Sequence, residues 1–288
     1  MKAFRDYTSD AAKWITFVEG QFYPDATVAA IPLYHPIIIR FGEMLGTATD
    51  SKDLLTRISN VSPQSLRIQL LRIFRKYVSP DTSVEMLKKK RNIPDICRDF
   101  GSRFRDLKQV REFYESRPEP DEALIAILNE YRERGQKGYA LTGLFFEWFE
   151  MNFEGFDITG PTGAGKDINL FDLVPDYPKD RRPVDFIITE QGKKTPLVVG
   201  LARYDSDRGG AQEDDRTSGY RNVVMEVLGH KWPAGNHPKL LFLNDGPGLL
   251  LGSMWKDYCE LEDYGKGKVM VATLKMLGER LKADWIRS

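Results

Sequence analysis

Two apolar stretches, RPVDFIIT (182–189) and TPLVVGLARYD (195–205), flank a polar turn at Gln191–Lys194, a pattern that folds as a β-hairpin. Folding it about residues 192–193 sets Asp185, an acid within an apolar run, opposite Gly200. A carboxylate in that setting costs free energy unless something coordinates it. It either binds a metal ion, or it caps its strand or pairs with Arg181 or Arg182. Metal-dependent phosphodiester hydrolysis needs two or more acids to hold Mg²⁺ at the phosphate, and a cation or base to orient and activate water. Arg203, on the second strand, supplies a cation, although a guanidinium is a poor proton acceptor. A second acid would come from the following helix, where Glu213, Asp214 and Asp215 lie ten to twelve residues beyond Arg203, or from Asp167 or Glu147. The ExxK of Glu190 to Lys193 falls in the turn and Pro175-Asp176 in a loop, so both are decoys.

Other cations point the same way. Arg203, Arg208, Arg216 and Arg221 are interleaved with Gly209, Gly210 and Gly219. Glycine permits close backbone approach, and arginine makes bidentate contacts to phosphate or to a guanine edge. The alternative is an internal salt-bridge network with Asp205, Asp207, Asp214 and Asp215. From Arg67 to Arg111, thirteen Lys and Arg face five Asp and Glu, an excess of +8 that includes Lys88, Lys89, Lys90 and Arg91. That run is either a solvated helix face or a surface facing nucleic-acid phosphates. GPTGAGKD (160–167) fits a phosphate-binding loop except that Asp167 stands where Ser or Thr must hold Mg²⁺, and a strand rather than a helix follows. His230 and His237 flank Trp232 and Pro233 and read as structural.

The elements that must position these residues fall into two regions. Leu66, Leu70, Ile73, Phe74 and Tyr77 keep helical spacing after Pro63, and Phe104, Leu107, Val110 and Phe113 mark another helix. Residues 121–134 form a further helix, Gly135-Gln136-Lys137-Gly138 a hinge, and 139–153 an apolar helix. Strands are expected at Ile168–Val174, Val184–Thr189, Leu197–Tyr204, 239–245 and 268–274, with helices at Val223–Leu228 and after Gly246-Pro247-Gly248. This order predicts an α/β fold with a mixed central sheet flanked by helices, preceded by an N-terminal helical region. The boundary falls between a helical part, 1–134, suited to DNA recognition or dimerisation, and an α/β core, 135–288.

Composition narrows the class. The chain has 288 residues with 42 basic and 42 acidic side chains, so overall charge does not argue for a polyanionic partner. Two cysteines and three histidines leave no disulfide framework and no cysteine-rich zinc site. No apolar run reaches the ~18 residues of a membrane span, and the first residues lack a secretory apolar core. A cytoplasmic protein is expected.

The segments GLARYDSDRGGAQEDDRTSGYRN (200–222) and LLFLNDGPGLLLGSMWKDY (240–258) resemble those of type II restriction endonucleases. The resemblance covers about residues 139–288. It implies the PD-(D/E)XK nuclease fold, a Mg²⁺ cofactor, a homodimer and double-stranded DNA as substrate, both strands of a specific site being hydrolysed. In that family an Asp on one hairpin strand is followed by an E-x-K on the next. Asp185 matches the aspartate and Arg203 loosely matches the lysine. Gly200 and Ala202 stand where E-x-K is expected, and Glu213, on the helix after the strand, is the leading substitute for the glutamate. The empty positions support a second class, a DNA-binding protein of this fold that has lost cleavage. A nucleotide-binding regulatory protein rests on GPTGAGKD alone.

Overall fold

The computed structural model describes residues 2–18, 20, 22–161, 168–174, 176–178, 183–206, 212–232 and 237–288; side chains 131, 133–137 and 212–218 also lie outside the description. The chain divides into a helical unit, Gly20–Glu133, and a sheet-bearing unit made of Met1–Glu19 and Arg134–Ser288.

The helical unit contains α1 (Asp25–Thr47), α2 (Ser51–Ser59), α3 (Gln64–Tyr77), α4 (Val84–Leu87), α5 (Ile93–Asp99), α6 (Leu107–Glu115) and the first part of α7 (Glu122–Asn152). Side-chain caps start several of them: Asp50 accepts from the amides of Lys52 and Asp53, Ser83 from Met86, and Asp106 from Lys108. Phe41, Leu54, Leu55, Leu70, Phe74, Val110 and Leu128 lie at the centre of its core. Among the described residues, α1 alone has the length and hydropathy of a membrane span. It carries Pro32 and Pro36 within the helix and buries Ala30, Tyr34, Ile38, Phe41 and Leu45.

In the sheet-bearing unit the order is β1 (Phe156–Thr159), α8 (Leu170–Leu173), β2 (Phe186–Glu190), β3 (Pro196–Tyr204), α9 (Gln212–Gly229), β4 (Lys239–Asp245), α10 (Met254–Tyr264), β5 (Val269–Ala272), α11 (Leu277–Arg280) and α12 (Ala283–Arg287). The five strands form one sheet in the order β1-β2-β3-β4-β5. β1, β2 and β3 are an antiparallel meander; β4 and β5 add in parallel, as crossovers through α9 and α10 require. Every residue of β4 is buried, as expected of a parallel strand covered on both faces. The chain is thus an α/β protein with a mixed sheet flanked by helices and an N-terminal helical region.

Several expectations need correction. The expected hinge at Gly135–Gly138 is helical backbone: α7 runs through it, since no proline interrupts the stretch and isolated glycines cost only ~1 kcal/mol each. Ile168–Val174 is not a strand. Ile168 makes a single antiparallel bridge to Val184, and Asn169 then caps α8 by accepting from the Phe171 amide at 3.1 Å. The first strand of the meander is instead Phe156–Thr159. The first nineteen residues, expected with the helical region, pack into the sheet-bearing core through Phe4, Tyr7 and Ile15. A buried network locks them there. Arg280 pairs with Glu262 at 2.6 Å and donates to the Lys2 carbonyl, while Glu262 accepts from the Phe4 and Val271 amides at 2.8 and 2.9 Å. Both cysteines are free thiols.

Candidate functional site

The β2–β3 hairpin forms, but its register differs by one from the expected one. A bulge between Ile188 and Thr189 sets Phe186, rather than Asp185, opposite Gly200. A Cβ at Gly200 would lie 1.9 Å from the Phe186 ring, which is fully buried and packs 5.0 Å from Phe145 of α7. Glycine at 200 makes room for an aromatic ring; it does not face a carboxylate.

Asp185 sits where the chain leaves the sheet. Beyond it Val184 pairs with Ile168, so β2 offers no further main-chain acceptor to β3. The Asp185 carboxylate takes that place, accepting from the Ala202 amide at 2.8 Å, and its own amide donates to the Gly200 carbonyl at 3.0 Å. It therefore caps the strand.

Arg203 lies on the face of β3 that also carries Leu201, because side chains alternate along a strand. Its neighbour in the parallel register is Asn244 of β4. The guanidinium donates through Nε to Asp205 at 2.8 Å, and Asp205 is 3% exposed. Burial works against the Arg203 charge, but Asp205 and the Tyr220 and Tyr258 phenols outweigh it and hold the group above its ordinary pKa. Tyr220, on α9, is pushed up to about 12, first by burial and then by the Asp205 and Asp185 charges, with Arg203 pulling the other way. One phenol thus senses Asp185, Arg203 and Asp205 together. The salt-bridge alternative is realised at Arg203 and Asp205; Arg221 makes an exposed pair with Glu260 of α10 at 2.9 Å, an acid outside that set.

The cluster stands at the carboxyl ends of two adjacent parallel strands, where open α/β sheets place ligands. Asn244, fully buried there, has neither Nδ2 nor Oδ1 hydrogen-bonded among the described residues. Behind it Asp245 is a structural anchor. Its oxygens accept from the amides of Thr16 (2.8 Å), Gly246 (2.7 Å) and Leu274 (2.9 Å), and burial raises its pKa against the pull of those amides. Gly246, at φ +104°, is required because a Cβ would meet the Asp205 carbonyl oxygen at 2.3 Å. Asn244 and Tyr220 were not singled out from sequence. The available signal was a polar pair ending an apolar strand, Asn244-Asp245, followed by a glycine turn.

Asp167 and Arg208 lie outside the described residues, as do most of GPTGAGKD, Arg181 and Arg182. Glu213 and Arg216 are on α9, but their side chains lie outside the description. His230 packs edge-on against Tyr177 and Trp232, at 4.9 and 5.4 Å, a structural setting. In the helical unit Lys88 pairs with Glu85, whereas Lys89, Lys90 and Arg91 are exposed with no carboxylate partner among the described residues.

Asp185, Asp205 and the Asn244 amide oxygen are hard oxygen donors, the type that suits Mg²⁺. Among the described residues, however, no three His, Cys, Asp or Glu side chains converge on one point. The described donors alone do not build a magnesium site. No protein-family model, no curated protein and no solved structure matches the chain.

Proposed function

We propose that this chain is a DNA-cleaving protein with a restriction-endonuclease-like core, hydrolysing both strands of a duplex site with Mg²⁺. The observation that carries the reading is that the Asp185 carboxylate, held by the Ala202 amide at 2.8 Å, stands next along β3 to Arg203, whose guanidinium is paired with buried Asp205 at 2.8 Å. Arg203 fills the place of the family's lysine, two residues past Leu201 on the same face. Its guanidinium would bind the non-bridging oxygens of the scissile phosphate and stabilise the charge that grows there. Asp185, together with Glu213 or Asp167, would hold the metal, whose chemistry is to polarise the phosphate and supply a hydroxide. Lys89, Lys90 and Arg91 would contact the duplex backbone. A two-fold homodimer matches a palindromic site, and the cytoplasm is the setting for such an enzyme.

Leu201 favours a second reading. The one-residue register shift moves the expected E-x-K frame from Gly200 and Ala202 to Leu201 and Arg203, so an apolar side chain takes the acid's position and the fold would bind DNA without cutting it. Incubating supercoiled plasmid with the protein, in Mg²⁺ or in EDTA, separates the two on a gel. Discrete fragments with Mg²⁺ only are expected. A mobility shift without cutting would replace the nuclease with the binding protein, and neither effect would refute both.

A further inference from the structure

Helix α3, QSLRIQLLRIFRKY, carries four cations and no acid. One side buries Leu70, Leu71, Ile73 and Phe74 in the helical core. Arg67 and Arg75 flank that side, half-buried, each with its Nε shielded from solvent and without an acceptor. Arg67 has only a long 3.4 Å contact to the Val61 carbonyl, and Arg75 has no hydrogen bond or ion pair among the described residues. A guanidinium partly withdrawn from water without a counter-charge is destabilising unless an anion arrives to meet it. The helix dipole does not account for both. It favours Arg75 and Lys76 in the last turn but disfavours Arg67 in the first.

The rest of the basic run separates by pairing. Lys88 is held by Glu85, Arg98 by Asp95 and Asp99 at 2.7 and 2.8 Å, and Arg103 by Asp81 at 3.2 Å. Lys76, Lys89, Lys90 and Arg91 are exposed and have no such partner among the described residues. α3 packs on α4, and α4 on the Lys90–Asn92 turn, so the unpaired cations belong to one contiguous part of the helical unit. Arg67 and Arg75 are eight residues apart, about 12 Å along the axis, or three to four nucleotide steps of ~3.4 Å.

We propose that α3 and the turn after α4 form the surface of the helical unit that grips the phosphates of duplex DNA, with Arg67 and Arg75 as its half-buried anchors. This rests on the reading of the chain as a DNA-binding protein and adds the element that makes the contact. Because the contacts are to phosphate, they are indifferent to sequence.

The test measures binding of the full chain to two unrelated 30-base-pair duplexes across a salt series in EDTA. Arg67→Gln with Arg75→Gln should weaken both complexes alike and reduce the slope of log affinity against log salt by ~0.9 for each contact, roughly 1.8 in all. Arg98→Gln with Arg103→Gln, which removes paired cations, should leave the slope unchanged. Without DNA, the melting temperature of the α3 variant should hold or rise, since it loses an uncompensated charge. Lys89→Gln with Arg91→Gln alters only exposed side chains and should lower the slope by the same ~0.9 per contact, should the α3 variant fail to fold. An unchanged slope in either variant set, or an equal loss in the Arg98 and Arg103 control, overturns the inference while wild-type binding leaves the broader reading standing. A wild-type chain that binds neither duplex overturns both.

Discussion

Asp185 has a structural task and a proposed chemical one, and two substitutions pull them apart. Its carboxylate replaces the main-chain acceptor that β2 no longer offers, taking the Ala202 amide at 2.8 Å. Asp185→Asn keeps an oxygen acceptor of the same size and loses only the charge. A hydrogen bond to a charged group contributes ~1.5–3 kcal/mol and a neutral one ~0.5–1.5, so the asparagine should cost on the order of 1 kcal/mol. Asp185→Ala leaves the Ala202 amide without an acceptor and should cost about 2–3 kcal/mol. With ~2–4 °C per kcal/mol in a chain of this size, calorimetry should show a drop of a few degrees for asparagine and about twice that for alanine. Cleavage should respond differently. If the charge holds Mg²⁺, both variants should lose at least ~10³-fold in rate on plasmid DNA while still shifting it on a gel. An alanine variant that melts with the wild type would refute the capping role. An asparagine variant that cleaves at the wild-type rate would sink the nuclease assignment of the hairpin.

Two other substitutions test the frame that carries the site. Gly200→Ala would drive a Cβ to 1.9 Å from the Phe186 ring, and that ring cannot withdraw because Phe145 and Phe146 lie behind it. Overpacking should cost ~1–3 kcal/mol in urea unfolding, and adding Phe186→Leu should recover part of it; an unaltered midpoint would disprove the contact. Arg280→Ala breaks the 2.6 Å pair and leaves the part-buried Glu262 carboxylate with the Phe4 and Val271 amides but without its counter-charge. A loss of ~3–5 kcal/mol is expected, and one below ~1 kcal/mol would show that the network does not hold the N-terminal segment.

The sequence by itself determined the features that local pattern controls. Seven consecutive apolar or terminal polar residues specified β4 at Lys239–Asp245, because a strand buried on both faces must be apolar throughout. The spacing of Leu70, Ile73, Phe74 and Tyr77 located α3, and alternating apolar stretches about a polar turn located the hairpin. Asp185 and Arg203 were legible as candidates because a charge inside an apolar strand needs a reason. Only the tertiary structure decided the rest. Register depended on a bulge at Ile188 and Thr189 that moved Gly200 from a carboxylate to a ring, and a one-residue slip carries no local signature. Asn244 became the neighbour of Arg203 through a parallel crossover that joins segments about forty residues apart, whereas Asp205, its ion partner, lies two residues along the same chain. The basic run looked uniform as sequence. Helical spacing pairs Lys88 with Glu85 and Arg98 with Asp95, folding brings Arg103 to Asp81, and packing leaves Arg67 and Arg75 half-withdrawn from water without an acid, which no local pattern announces.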